Sequence, residues 1–112
     1  MYGDEEFDRQ YDLVIETAEK NNLKNSHWSM YEHLDFDQPH PYGDVKELKH
    51  HSDPFWGKPS GDFIQPINGN TWLDLWIAAD TLMGKIGDKH HYFIEDFWVD
   101  ASDNTLRMFL GS

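Results

Sequence analysis

Four of the seven histidines form two doublets beside a carboxylate: His50 and His51 ahead of Asp53, and His90 and His91 just after Asp88. Imidazole and carboxylate are ligands for zinc and related divalent metals, so a metal-dependent enzyme built on His50, His51, Asp53, Asp88, His90 and His91 is one reading. Neighbouring residues of a strand point to opposite faces, so each doublet lends one ring to any one site, and the spacing fits no established zinc pattern. Surface or hydrogen-bonded histidine is the commoner outcome, and neither a metal nor another cofactor is expected.

Two carboxylates stand where the pattern calls for apolar residues. Asp80 interrupts the apolar arc of a predicted helix, and a carboxylate there must be paired or protonated. His90, His91, Lys89 or Arg107 could reach it, tying that helix to the hairpin that follows; a role as an active acid is the lesser reading. Glu95 falls on the inward parity of a predicted strand and is either a second buried carboxylate or the mark of a bulge. No glycine loop for phosphate, no nucleophile elbow and no Ser beside a base is present. The absence of Cys removes thiolate metal sites, disulfides and Cys nucleophiles together. No catalytic residue is expected.

Charge is the extreme feature of the 112 residues: 21 acids against 9 bases give a net of −12 and a pI near 4.7. Residues 1–37 alone hold 10 acids against 3 bases. Nucleic acid and anionic membranes are repelled by such a surface, whereas a basic partner is steered toward it. MYGDEEFDRQYD lacks the basic flank and apolar run of an export signal, and no stretch has the length to span a bilayer, so a cytoplasmic location is expected.

The elements that must position these residues read as an α+β fold in a single domain over 1–112. Phe7, Tyr11, Val14, Ile15 and Ala18 recur at helical spacing from Asp4, with Asn21 and Asn22 as stop residues. Trp28, Met30, Leu34 and Phe36 alternate, which predicts a strand near 28–36. Asp44 and Glu47 have the spacing of a capping box and predict a short helix through His50 or His51. Residues 52–70, punctuated by Pro and Gly, read as a long irregular segment pinned by Phe55, Trp56, Phe63, Ile64 and Ile67. A second capping box, Thr71 and Asp74, opens a C-terminal helix over about 71–86 that Gly87 ends. An antiparallel hairpin follows over about 90–100 and 105–110. A tight turn at Asp103-Asn104 sets Asp100 across from Arg107 and Trp98 across from Phe109. Both hairpin faces then carry rings, so the outer one is covered or left open for a partner.

Acids interleaved with rings are the informative combination. Carboxylates satisfy Lys and Arg in a groove built for phosphates while rings supply desolvated anchors. The surfaces expected to bind a partner are the acidic helix, through Asp8, Asp12, Glu16 and Glu19, and the outer hairpin face, through Tyr92, Asp96, Trp98, Asp100 and Phe109. In size, acidity, ring content and lack of Cys the chain is similar in general character to small phage-encoded inhibitors of host defence enzymes and to immunity proteins that block nuclease toxins. That likeness of composition points to a non-enzymatic protein that inhibits or sequesters a basic, nucleic-acid-handling protein, and the interleaving of acids with rings adds nucleic-acid mimicry as the expected means. A structural or assembly subunit, forming a homo-oligomer through the hairpin face, is the third reading.

Overall fold

The structure is a computed structural model that describes residues 4–52, 61–87 and 91–111. Among these residues two helices and five strands form an α+β fold, in the order α1 (Asp4–Asn21), β1 (His27–Trp28), β2 (Glu47–Ser52), β3 (Gly61–Pro66), α2 (Trp72–Ile86), β4 (Phe93–Asp100) and β5 (Thr105–Gly111). The strands make one mixed sheet in the order β1-β4-β5-β2-β3.

Helix α1 ends as its sequence directs. Asn22 adopts a left-handed conformation at φ 58, and the Leu23 N–H reaches back to the Ala18 carbonyl at 2.8 Å while the Asn22 N–H reaches Glu19. This is the doubly bonded helix stop that asparagine supports almost as well as glycine. Helix α2 begins on the Thr71 and Asp74 capping box, in which the Asp74 N–H donates to Thr71 Oγ1 at 3.2 Å and the Thr71 N–H donates to Asp74 Oδ2 at 3.0 Å. Gly87, at φ 75, closes it by donating its N–H to the Met83 carbonyl.

The strand predicted near 28–36 shrinks to His27–Trp28, which pairs in parallel with Phe93 and Ile94 of β4. The alternation of Trp28, Met30 and Phe36 is real burial, but it comes from chain wrapped around a ring. The Trp28 indole N–H lies 3.1 Å from both the Met30 and the His33 carbonyls, and a turn bonds the His33 N–H to Met30. A second correction concerns the helix predicted from Asp44: the chain enters β2 there instead. Leu48 pairs with Leu106 of β5, and all six residues of β2 pair antiparallel with β3. Long-range pairing overrides a local cap signal worth about 1 kcal/mol. The segment predicted as irregular therefore holds an edge strand, with Pro66 at its end, where a missing N–H costs least. Phe63 packs on the core and Ile67 is buried, whereas Ile64 is exposed.

In the hairpin the register is Phe97 with Met108, Trp98 with Arg107, Val99 with Leu106 and Asp100 with Thr105, two residues removed from the tight-turn expectation. The turn is longer because two aspartates each grip the chain two residues on: Asp100 Oδ1 accepts from the Ser102 N–H and hydroxyl, and Asp103 Oδ1 accepts from those of Thr105. A shift of two preserves parity, so Trp98 and Phe109 remain on the outer face. A register irregularity between Ile94 and Asp96 changes parity at Glu95 and turns Ile94 inward, where it is fully buried against Trp28 and its neighbours. Glu95 is exposed at this bulge and is not a second buried carboxylate.

The core lies between α2 and the inner sheet face. Its centre is a ring cluster in which Trp28 meets Phe36, Trp72, Trp76 and Phe97 at centroid distances of 5.5–5.9 Å.

Candidate functional site

Asp80 is buried, at 4 % exposure, and among the described residues its partners lie ahead of β1 and not in the hairpin. Its Oδ1 accepts from the Asn25 N–H at 2.8 Å and from the Ser26 hydroxyl at 2.7 Å, and Oδ2 lies 3.3 Å from Asn25 Nδ2. The Trp76 indole N–H donates to Ser26 Oγ at 3.0 Å, so a hydrogen-bond chain runs from indole to hydroxyl to carboxylate. Neutral donors and a main-chain N–H do the work that cations were expected to do, and the element anchored is the segment joining α1 to β1. Asp53, Asp88, Lys89 and His90 lie outside the described residues. His50 and His51 sit side by side on β2, so their side chains leave opposite faces of the sheet, and His91 is exposed just ahead of β4. Among the described residues no three His, Asp or Glu side chains come together to hold a metal.

The surface has more to offer. Phe7 and Tyr11 of α1 stack at 6.1 Å, and Phe7 meets Tyr31 edge-on at 5.6 Å. Tyr11 lies 5.6 Å from the His27 ring, which contacts Phe93 at 5.3 Å, and Phe93 contacts Tyr92 at 4.6 Å. This continuous band of rings is partly open to solvent: Phe7 is 50 % exposed, and Tyr11 and Tyr92 are also exposed. Asp8, Asp12, Glu16 and Glu19, all exposed, recur at steps of three and four along α1, next on the helix to the Phe7 and Tyr11 stripe. Trp28 and Ile94 are fully buried, so their neighbours His27 and Phe93 face outward, which joins the band to the outer sheet face.

That outer face carries Asp96, Trp98 and Asp100 of β4 and Arg107 and Phe109 of β5. Trp98 is 47 % exposed and Phe109 56 %. Beside them runs an ion-pair network across the strands. Arg107 contacts Asp100 at 3.0 Å and Asp103 at 3.5 Å; Lys49 contacts Asp103 at 3.5 Å and Asp62 at 3.8 Å; and His51 Nδ1 lies 2.9 Å from Asp62. The carboxyls of Asp62, Asp100 and Asp103 are held below their ordinary value, chiefly by hydrogen bonds from His51, Ser102 and Thr105 respectively. The sequence paired Asp100 with Arg107, and the contact exists as a diagonal one. The contribution of Tyr31, His27 and Phe93 is not visible in the sequence, because they come from two segments that meet the rings of α1 only in the fold, and no period connects them.

Two histidines are held neutral. His27 accepts or donates a 3.0 Å hydrogen bond with the Tyr31 hydroxyl, and burial lowers its pKa below 6.5 while raising that of Tyr31 above 10.0. His40, 7 % exposed, accepts the Tyr42 N–H on Nδ1 at 3.1 Å, which puts its proton on Nε2, where no partner among the described residues meets it. Burial lowers the His40 pKa, and Asp74 opposes the shift. The sign follows directly: the unfolded chain takes up protons near pH 6.5 and the folded chain only at lower pH, so stability falls as pH drops from 6.5 through the folded values. The urea midpoint is expected to decline between pH 7 and 5, and His40→Asn, which retains an acceptor for Tyr42, is expected to flatten that slope. The acidic groups of the ion network act in a separate window, losing their contribution as pH falls below 3.8.

No helix among the described residues is long and apolar enough to cross a membrane. Comparison of the chain with protein-family models, curated proteins and solved structures finds no match in any of the three. The functional reading therefore rests on the surface itself.

Proposed function

We propose that this protein is a non-enzymatic binding protein that inhibits or sequesters a basic, nucleic-acid-handling protein, as phage anti-defence proteins and immunity proteins do, by presenting carboxylates where a nucleic acid presents phosphates. The observation that carries the reading is the continuous band of exposed rings beside the acidic stripe of α1, on a molecule of net charge −12. Solvated acids alone would need no rings next to them. Rings alone would mark any sticky surface. Together they supply both halves of a protein interface, anchors that bury area and charges that steer encounter.

The stripe and the band make different predictions. Replacing Asp8, Asp12, Glu16 and Glu19 by their amides removes four charges and no contact area, so the association rate with a basic partner is expected to fall about tenfold or more at low salt, with little change in dissociation. Phe7→Ala and Tyr11→Ala are expected to act mainly on dissociation. Surface plasmon resonance at ~20 and ~150 mM salt separates the two effects, the Debye length shrinking to about 8 Å over that range. Mimicry also requires that duplex DNA or RNA compete for the partner. A partner whose association is indifferent to salt, or that binds nucleic acid and this protein at once, defeats the reading.

A further inference from the structure

We propose that the outer face of the hairpin holds a receptor for an arginine side chain of the basic partner, formed by Asp96, Trp98 and Phe109; the inference rests on the basic-partner reading above. Asp96 pairs directly with Phe109 across the two strands, which places their Cβ atoms about 4.5–5.5 Å apart. Trp98 follows two residues on, on the same face, about 7 Å along the strand. A carboxylate thus stands between two exposed rings.

Unlike Asp100 on the same strand, this carboxylate is held by the backbone and by no cation among the described residues. Its Oδ1 accepts the Phe97 N–H at 2.8 Å, which fixes the group, and its Oδ2 has no partner among the described residues. The aspartates of the neighbouring ion network are matched, Asp62 by Lys49 and His51, Asp100 by Arg107, and Asp103 by Arg107 and Lys49. Asp96 meets no cation among the described residues. Its field is felt locally, because Asp96 and Glu32 both add to the burial that raises the Tyr42 pKa. A fixed, unmatched carboxylate beside two exposed rings, one across the strands and one along its own, suits a planar guanidinium, which can stack on a ring while donating to the carboxylate in its own plane. An ammonium group has no plane to lay on a ring, so it matches the two contacts less well. A second copy of this chain is a poor occupant. Its Arg107 is already engaged, only Arg9 remains, and it would bring a further −12 charge.

The test uses the 112-residue chain, labelled with 15N, titrated at low salt with an octa-arginine and an octa-lysine peptide and followed by NMR. The Trp98 indole signal, assigned with Trp98→Phe, and the amides of Asp96 and Phe109 are expected to move with octa-arginine, which binds about fivefold more tightly than octa-lysine. Trp98→Ala and Asp96→Asn are each expected to erase that preference. Asp96→Asn retains an oxygen for the Phe97 N–H, so it removes the charge and leaves the cap. Equal affinity for both peptides, or shifts confined to α1, would overturn the receptor and leave the basic-partner reading standing. No binding of either peptide would overturn both.

Discussion

Trp28→Ala is expected to cost about 4 kcal/mol or more, the upper range for deleting a buried aromatic side chain. The ring is fully buried, it contacts four other aromatic rings, and its indole N–H serves two carbonyls that hold the turn after β1. The deletion therefore opens a cavity at the centre of the core and releases the chain from Met30 to His33. A domain of this size has about 5–15 kcal/mol in total, so much of the population would be unfolded at moderate temperature. Calorimetry is expected to show a fall in Tm of about 15 °C or more. Trp98→Ala, on the outer face, is the control and is expected to stay within about 0.5 kcal/mol of the parent. Similar losses at the two positions would contradict the placement of these rings.

Asp80→Ala is expected to be the most damaging polar substitution, at about 2–4 kcal/mol by urea denaturation. It leaves the Asn25 N–H and the Ser26 hydroxyl without their shared acceptor at a part-buried joint, and it loosens the Ser26 oxygen that accepts from the Trp76 indole. Asp80→Asn keeps one acceptor but turns an amide N–H toward the Asn25 amide, so a loss of about 1–2 kcal/mol is expected. Ser26→Ala combined with Asp80→Ala should cost less than the two changes added together, since both break the same chain of bonds. Strict additivity would show that the hydroxyl and the carboxylate do not act as a unit.

These two residues also show what could be read before the structure and what could not. The two helices were legible because their signals are local: Asn22 and Gly87 stop them, and Thr71 with Asp74 starts the second. The hairpin was legible as a hairpin, and its faces survived the change of register because that change was by two. The strands β2 and β3 were not legible. Their evidence lies in partners far along the chain, Leu106 for Leu48 and the residues of each strand for the other, while the nearby signal at Asp44 and Glu47 pointed to a helix. The apolar arc around Asp80 signals burial, but nothing local tells a cation from the main-chain N–H and hydroxyl that serve its carboxylate equally well. Of the candidate surface, the acids of α1 and the rings Trp98 and Phe109 could be named in advance. The band through His27, Tyr31 and Phe93 exists only once three segments meet.

Helix α1 is attached to the rest of the molecule lightly. Its one fully buried side chain is Val14, and it packs chiefly against β1, which is itself two residues long. Regions with few buried apolar contacts open at a free energy below that of global unfolding, so amide exchange along α1 is expected to be faster than along α2 and the hairpin. Like charges along the acidic stripe push in the same direction. A cationic surface that neutralises those carboxylates would therefore relieve repulsion and tighten the helix onto β1 in one step, making part of the binding energy appear as ordering of the helix that supplies the charge.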